Sequence, residues 1–303
     1  MKIKIDLKVP KGWQMCSTSE LEMIAEEMIR ANLMAAMSRF RPFDWTAVKT
    51  RLFFRFSNVQ ILDIRTEDTK DTITEEQKFA CRLAKGNPMY DAYKEEFELA
   101  TWQVHSFLEQ LAWIDAVDSK GRPVPMPKLM WPYPKRIWWL RWRKPDGELL
   151  DGMSWQTYRL INDWMEALSF DKLRNRDKSE MRREQDIRLT VLGLMFGCPK
   201  WRVRLARISD VEWQVILFWW SSMMQYLKEQ YPKCFKQSDK KSRSKAQPLP
   251  IELYTRSMAT LQKYLGGLTE AQINQQSAHA ILRHMNDMAV EAEQMEKLRR
   301  KKK

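Results

Sequence analysis

The sequence predicts a mainly α protein: a multi-helix bundle with a small β element near the N-terminus and around residues 136–143, ending in a C-terminal helical hairpin. Three observations carry this expectation. Apolar residues recur at spacings of three and four along much of the chain. Several of these runs are preceded by a Ser or Thr with a Glu or Gln three residues later, the arrangement that satisfies the first free N–H groups of a helix. Only 9 glycines occur among 303 residues, which argues against a Gly-rich nucleotide-binding fold.

In chain order, Ile3, Ile5, Leu7 and Val9 alternate with Lys2, Lys4, Asp6 and Lys8. This is the period of a strand with one buried face. Pro10 and Gly12 end it, and Trp13 anchors the turn. Ser17 and Glu20 then cap a helix with Leu21, Ile24, Met28 and Met37 on its inner side. "FDWTAVKTRLFFRF" reads as the next helix and "VQILDI" as a short strand. Residues 74–85 and 90–115 read as helices. Residues 119–134 hold five prolines and no helical period, so they form an extended segment. Ser154 caps a helix through Leu168. A charged helix runs from about residue 171 into "RLTVLGLMFG" and stops at Pro199. Ser209 and Glu212 cap the helix that carries "WQVILFWWSSMMQYL". At 15 residues this uncharged stretch is too short to span a bilayer and reads as core.

The C-terminal region has two narrow seams. Ile251, Tyr254, Met258, Leu261 and Leu265 form one; Ala278, Ile281, Met285, Met288, Ala292 and Met295 form the other. Both step by alternating threes and fours, as in a coiled coil. Gly266 and Gly267 end the first helix, and Thr269 with Gln272 caps the second. The expected division is a helical body over 1–235 with minor β, a basic linker over 236–249, and a helical hairpin with a basic tail over 250–303. The second seam outlasts the first helix, so Ile281, Met285, Met288 and Met295 are the candidate partner-binding residues.

Charge separates the body from its ends. The net charge is +13. Residues 236–245 and 297–303 together carry +10 of it, which leaves a nearly balanced body. Candidate nucleic-acid contacts are Lys240, Lys241, Arg243, Arg299 and Arg300 in these runs, with Arg141 and Arg143 in "IWWLRWRKPDGE". In that segment Trp138, Leu140 and Trp142 share one face of an extended chain, while Ile137, Trp139, Arg141 and Arg143 share the other. Three readings apply: a strand with one buried and one Arg-covered face, a stacking platform for single-stranded nucleic acid, or a partner-protein interface.

No catalytic, cofactor or metal site is expected. His279 and His284 are five apart, about 140° around a helix at 3.6 residues per turn, which does not suit two ligands of one ion. Cys198 in "FGCPKW" reads as a small residue before proline more readily than as a reactive thiol. Cys16, Cys81, Cys198 and Cys234 show no metal-ligand spacing, and the N-terminus lacks a secretory apolar run. Free thiols in a reducing cytoplasm follow as an expectation.

Two regions carry a resemblance. One is "LKVPKGWQMCSTSELEMIAEEM". The other is "GELLDGMSWQTYRLINDWMEAL" followed by "LTVLGLMFGCPK" and "ISDVEWQVILFWWSSMMQYLKEQYPKCF". Together, over about a third of the chain, they resemble proteins encoded among the tail genes of prophages from Bacteroidetes-type bacteria. The resemblance implies a non-enzymatic tail-assembly chaperone or minor tail component, acting in the host cytoplasm or the virion. Its partners would be other tail or assembly proteins or a second copy of the chain, with no membrane. Where such chains have Gly-Pro before the "GMSW"-like segment, this one has Lys144, Pro145, Asp146 and Gly147. The alternative function is nucleic-acid binding through the basic linker and tail.

If Trp142 lies on the buried face, Trp142→Ala should cost about 3–5 kcal/mol. Arg143→Ala should cost less than about 1 kcal/mol. Equal small losses in thermal denaturation would show that both faces are exposed.

Overall fold

A computed structural model describes residues 7–37, 43–67, 76–117, 130–133, 148–166, 178–235 and 250–301. The fold is mainly α, with a small antiparallel sheet. The chain divides into two compact units. One comprises residues 1–132 and 209–222; the other comprises 133–208 and 223–303. The C-terminal helices share a unit with the segment 133–208, and the expected basic linker over 236–249 lies outside the described residues.

The first unit contains α1 (Thr18–Met37), α2 (Trp45–Phe56), β1 (Val59–Glu67), β2 (Glu76–Leu83), β3 (Phe97–Ala100) and α3 (Thr101–Gln110). Ser17 and Glu20 form the expected capping box: the Ser17 N–H donates to the Glu20 carboxylate at 2.6 Å, and the Glu20 N–H to Ser17 Oγ at 3.3 Å. Asp44 caps α2 by accepting from the N–H groups of Thr46 and Ala47. On α2, Phe53 stacks on Phe107 of α3 at 4.7 Å, and Phe54 meets Phe79 of β2 at 5.4 Å. Trp13 is buried, edge-on to Trp113 and 5.4 Å from Phe218. Glu27 is a buried charge of this unit, paired with Arg51 and Arg55 of α2. Pairing is what makes such a burial tolerable.

The sheet corrects three expectations. Residues 74–85 were expected to be helical, but Glu76–Leu83 is the central strand β2, antiparallel to both β1 and β3. The helix-forming residues of this segment are overridden by the alternation of Phe79, Cys81 and Leu83 and by pairing on both edges. The expected helix over 90–115 is divided: Phe97–Ala100 pairs with β2, and α3 begins only at Thr101. Ala100 has no capping side chain, and Gln103 reaches back to its N–H at 2.9 Å. The expected N-terminal strand is absent over its described part, since Leu7–Pro10 form no strand. Residues 1–6 and the expected strand at 136–143, with Arg141 and Arg143, lie outside the described residues.

The second unit contains α4 (Trp155–Glu166), α5 (Lys178–Phe196), α6 (Lys200–Leu205), α8 (Pro250–Tyr264), α9 (Glu270–Gln275) and α10 (Ala278–Lys301). Helix α7 (Asp210–Gln230) passes from the first unit into the second after Ser222. Its Ser209–Glu212 capping box is present, with bonds of 2.8 and 3.2 Å. So is the Thr269–Gln272 box, at 2.9 and 3.3 Å.

The C-terminal region is not a simple antiparallel hairpin. The second arm breaks at Gln276 and Ser277, so α9 intervenes between α8 and α10. Met258 and Leu261 of α8 are buried with Ile281 of α10, whereas Tyr264, further along α8, meets His284 and Glu291, further along α10. In an antiparallel hairpin the last turn of α8 would lie beside the first turn of α10.

Pro199 was expected to stop the charged helix. The stop falls earlier, at Gly197 in the left-handed region (φ 57), and Pro199 opens α6. The chain folds back tightly here. The Cys198 N–H donates to the Gly193 carbonyl at 2.9 Å, and a Cβ on Gly193 would lie 2.8 Å from the Cys198 carbonyl oxygen. Only glycine accommodates that approach. Gly193→Ala should therefore cost about 1–3 kcal/mol, in the range for overpacked sites. A denaturant midpoint unchanged from the parent protein would refute this account of the turn.

Candidate functional site

The candidate partner residues occupy different environments along α10. Ile281 is fully buried with Met258, Leu261 and Ile273. Met285 and Met288 are partly buried against the same cluster, beside Trp155, Leu265 and Leu268. These three residues hold α10 to its own unit. Met295 differs: it is 55% exposed, as is Leu298.

Another side of α10 is held by the chain following α7. The Lys233 N–H donates to Asn286 Oδ1 at 3.0 Å, Cys234 Sγ to the Leu282 carbonyl at 3.1 Å, and the Lys233 ammonium pairs with Glu293. Beyond Glu293 the helix has no buried face: 294–300 are all exposed. The observed contacts thus cover the seam as far as Met288 and leave its last two turns projecting.

Of the candidate nucleic-acid residues, Arg141, Arg143, Lys240, Lys241 and Arg243 lie outside the described residues. Arg299 and Arg300 are exposed on the projecting end of α10, and Arg300 pairs with Glu296 one turn earlier at 2.5 Å. An isolated exposed pair of this kind contributes little to stability.

The sequence reading missed the role of His279. Its Nε2 lies 2.7 Å from the Leu149 carbonyl oxygen and its Nδ1 lies 2.9 Å from the Tyr231 hydroxyl. A carbonyl can only accept, so Nε2 carries a proton. In the neutral ring Nδ1 then accepts from Tyr231. Asp151 stands 3.5 Å from Nε2 on a largely exposed side chain, and the Tyr226 ring is edge-on at 6.1 Å. Burial, the largest influence, pushes the Tyr231 phenol above its ordinary range. Both ring nitrogens are therefore engaged within the protein, one by a backbone carbonyl and one by a phenol. The bond to Leu149 holds a strained loop, because Leu149 and Leu150 both have positive φ, 58° and 67°. A side chain in that region costs roughly 1–2 kcal/mol.

His284 lies on another part of α10, edge-on to Tyr264, and His105 is exposed on α3. Among the described residues no three His, Cys, Asp or Glu side chains converge as a metal site. Burial raises every thiol: Cys16 and Cys81 to about 12, Cys234 to about 11, and Cys198 above its ordinary range. A thiol held protonated is a poor nucleophile. No helix among the described residues is long and apolar enough to cross a membrane.

His279→Ala should destabilise the protein by about 1–3 kcal/mol, the range for removing one partner from a buried polar group. Amide hydrogen exchange should quicken first around residues 149–153. If exchange there is unchanged, His279 does not hold the loop.

No protein-family model, curated protein or solved structure matches this chain.

Proposed function

We propose that the chain is a non-enzymatic assembly protein of the phage-tail type, which acts through protein–protein contacts in the host cytoplasm or on the virion. The observation that supports this best is the projecting end of α10. It presents Met295 and Leu298 to solvent, within a segment whose residues 297–303 hold six basic and no acidic side chains. Apolar surface left exposed on a folded protein commonly marks a contact site, and Met suits a surface that must accept and release partners. The surrounding cations select a partner with an acidic rim around an apolar groove. The sequence resemblance to tail-gene products supports the same reading.

The second reading, nucleic-acid binding by residues 236–245 and 297–303, rests on their charge alone. It predicts steep salt dependence, with a log–log slope of about 0.7–0.9 per neutralised phosphate.

The double variant Met295→Glu and Leu298→Glu separates these readings. Both positions are exposed, so stability should change by no more than about 0.5 kcal/mol per site. Under the assembly reading, co-purification with tail proteins identified by mass spectrometry, or self-association in light scattering, is lost while the melting temperature holds. Unchanged association removes the end of α10 as the contact. Retention on DNA that disappears on truncation after Glu296 favours the second reading.

A further inference from the structure

Helix α6 is a short exposed element with an unusual surface. Its sequence, "KWRVRL", is followed by Ala206 and Arg207, so Lys200, Arg202, Arg204 and Arg207 carry four positive charges with no acid between them. The nearly balanced charge of the body therefore conceals a local concentration. Lys200 is neutralised by Asp186 at 3.0 Å. Arg202, Arg204 and Arg207 are exposed and form no ion pair among the described residues.

The helical period explains the arrangement. At about 100° per residue, Trp201 and Leu205 lie side by side on one face, with Arg204 on one flank and Arg202 on the other. Val203 points opposite and is 2% exposed, so it anchors the helix to its unit. The outward pair is the reverse of a packed face: Trp201 is 57% and Leu205 51% exposed. The Arg202 guanidinium carbon sits 5.2 Å from the centre of the Trp201 ring, within the distance for a cation–π contact. That contact steadies the indole while leaving most of the ring open. The turn built on Gly193 and Cys198 fixes where α6 begins.

We propose that α6 is a binding face for single-stranded nucleic acid, with a base stacked on Trp201 and backbone phosphates held by Arg202, Arg204 and Arg207. An open aromatic ring beside fixed cations is the combination that binds unpaired strands without reading sequence. A duplex offers the same phosphates but no free base face. A lipid surface fits less well. Interfacial helices bury an extended apolar face, whereas α6 has six residues and two outward apolar side chains. This site is separate from the α10 contact surface and does not depend on it.

The test uses the full chain, a fluorescent oligothymidylate, a duplex of equal length, and vesicles of phosphatidylcholine with phosphatidylserine. Trp201→Ala should weaken oligothymidylate binding about tenfold, as loss of a stacked base does, and leave duplex binding unchanged. Trp201→Phe should retain most of the single-strand affinity. Arg202→Gln with Arg204→Gln should weaken both nucleic acids and reduce the single-strand salt slope by about 0.7 for each lost phosphate contact. Circular-dichroism melting curves confirm that the variants remain folded. The proposal is overturned if oligothymidylate binding is indifferent to these substitutions, if Trp201→Ala weakens single strand and duplex alike, or if only the vesicles bind through α6.

Discussion

Two backbone hydrogen bonds organise the second unit. The Trp155 N–H donates to the Gln276 carbonyl at 2.7 Å, and the Ala278 N–H donates to the Met153 carbonyl at 2.8 Å. Ser154 and Ser277 face each other across this short antiparallel bridge. Trp155 and Ala278 are each the first residue of a helix, where N–H groups lack intrahelical partners. Each helix start thus satisfies the other, and Ser154 and Ser277 cap the next free donors, at Thr157 and Ala280. The bridge joins segments more than a hundred residues apart and sets where α4 and α10 begin and where α9 ends. His279, one residue into α10, can then reach the Leu149 carbonyl, and Ile281, three residues in, can enter the cluster with Met258 and Ile273.

Features encoded by neighbouring residues were legible in the sequence. The capping boxes at Ser17, Ser209 and Thr269 are each spelled within four residues, and all three are present. The narrow seam through Ile281, Met285 and Met288 does line the inner side of α10. Features that depend on distant pairing were not legible. β2 contains good helix formers, and only β1 and β3 on its two edges make it a strand. The break between α9 and α10 carries no proline or glycine, because it is imposed by the backbone of residues 153–155. His279 gave no signal either, since its partners Leu149 and Tyr231 lie 130 and 48 residues away.

The two candidate surfaces were unequally visible for a related reason. The cationic tail is a contiguous run of one sign and stands out in any charge count. The basic residues around α6 are interleaved with Trp201, Val203 and Leu205, which give the segment the composition of a core helix. Net charge describes long-range attraction to polyanions, but it does not locate the charges that a ligand would touch. Geometry does so here, by turning Val203 inward and leaving its neighbours outward.

The exposure of Trp201 gains its meaning from the other tryptophans. Trp13, Trp213, Trp219 and Trp220 are all less than a tenth exposed in the first unit, where the indole supplies a large buried area. Exposure alone does not set Trp201 apart, since Trp102 is 65% and Trp164 37% exposed; what sets it apart is the Arg202 guanidinium carbon 5.2 Å from its ring centre. Neighbouring arginines do not shield that ring from water; they orient it and surround it with positive charge. The same logic applies at the end of α10, where Leu298 is exposed between cations instead of under them. In both places an apolar group is held where water reaches it and a polyanion or an acidic partner could cover it. The distinction between them is chemical: an open indole face suits an unpaired base, whereas flexible Met295 and Leu298 suit the groove of a protein.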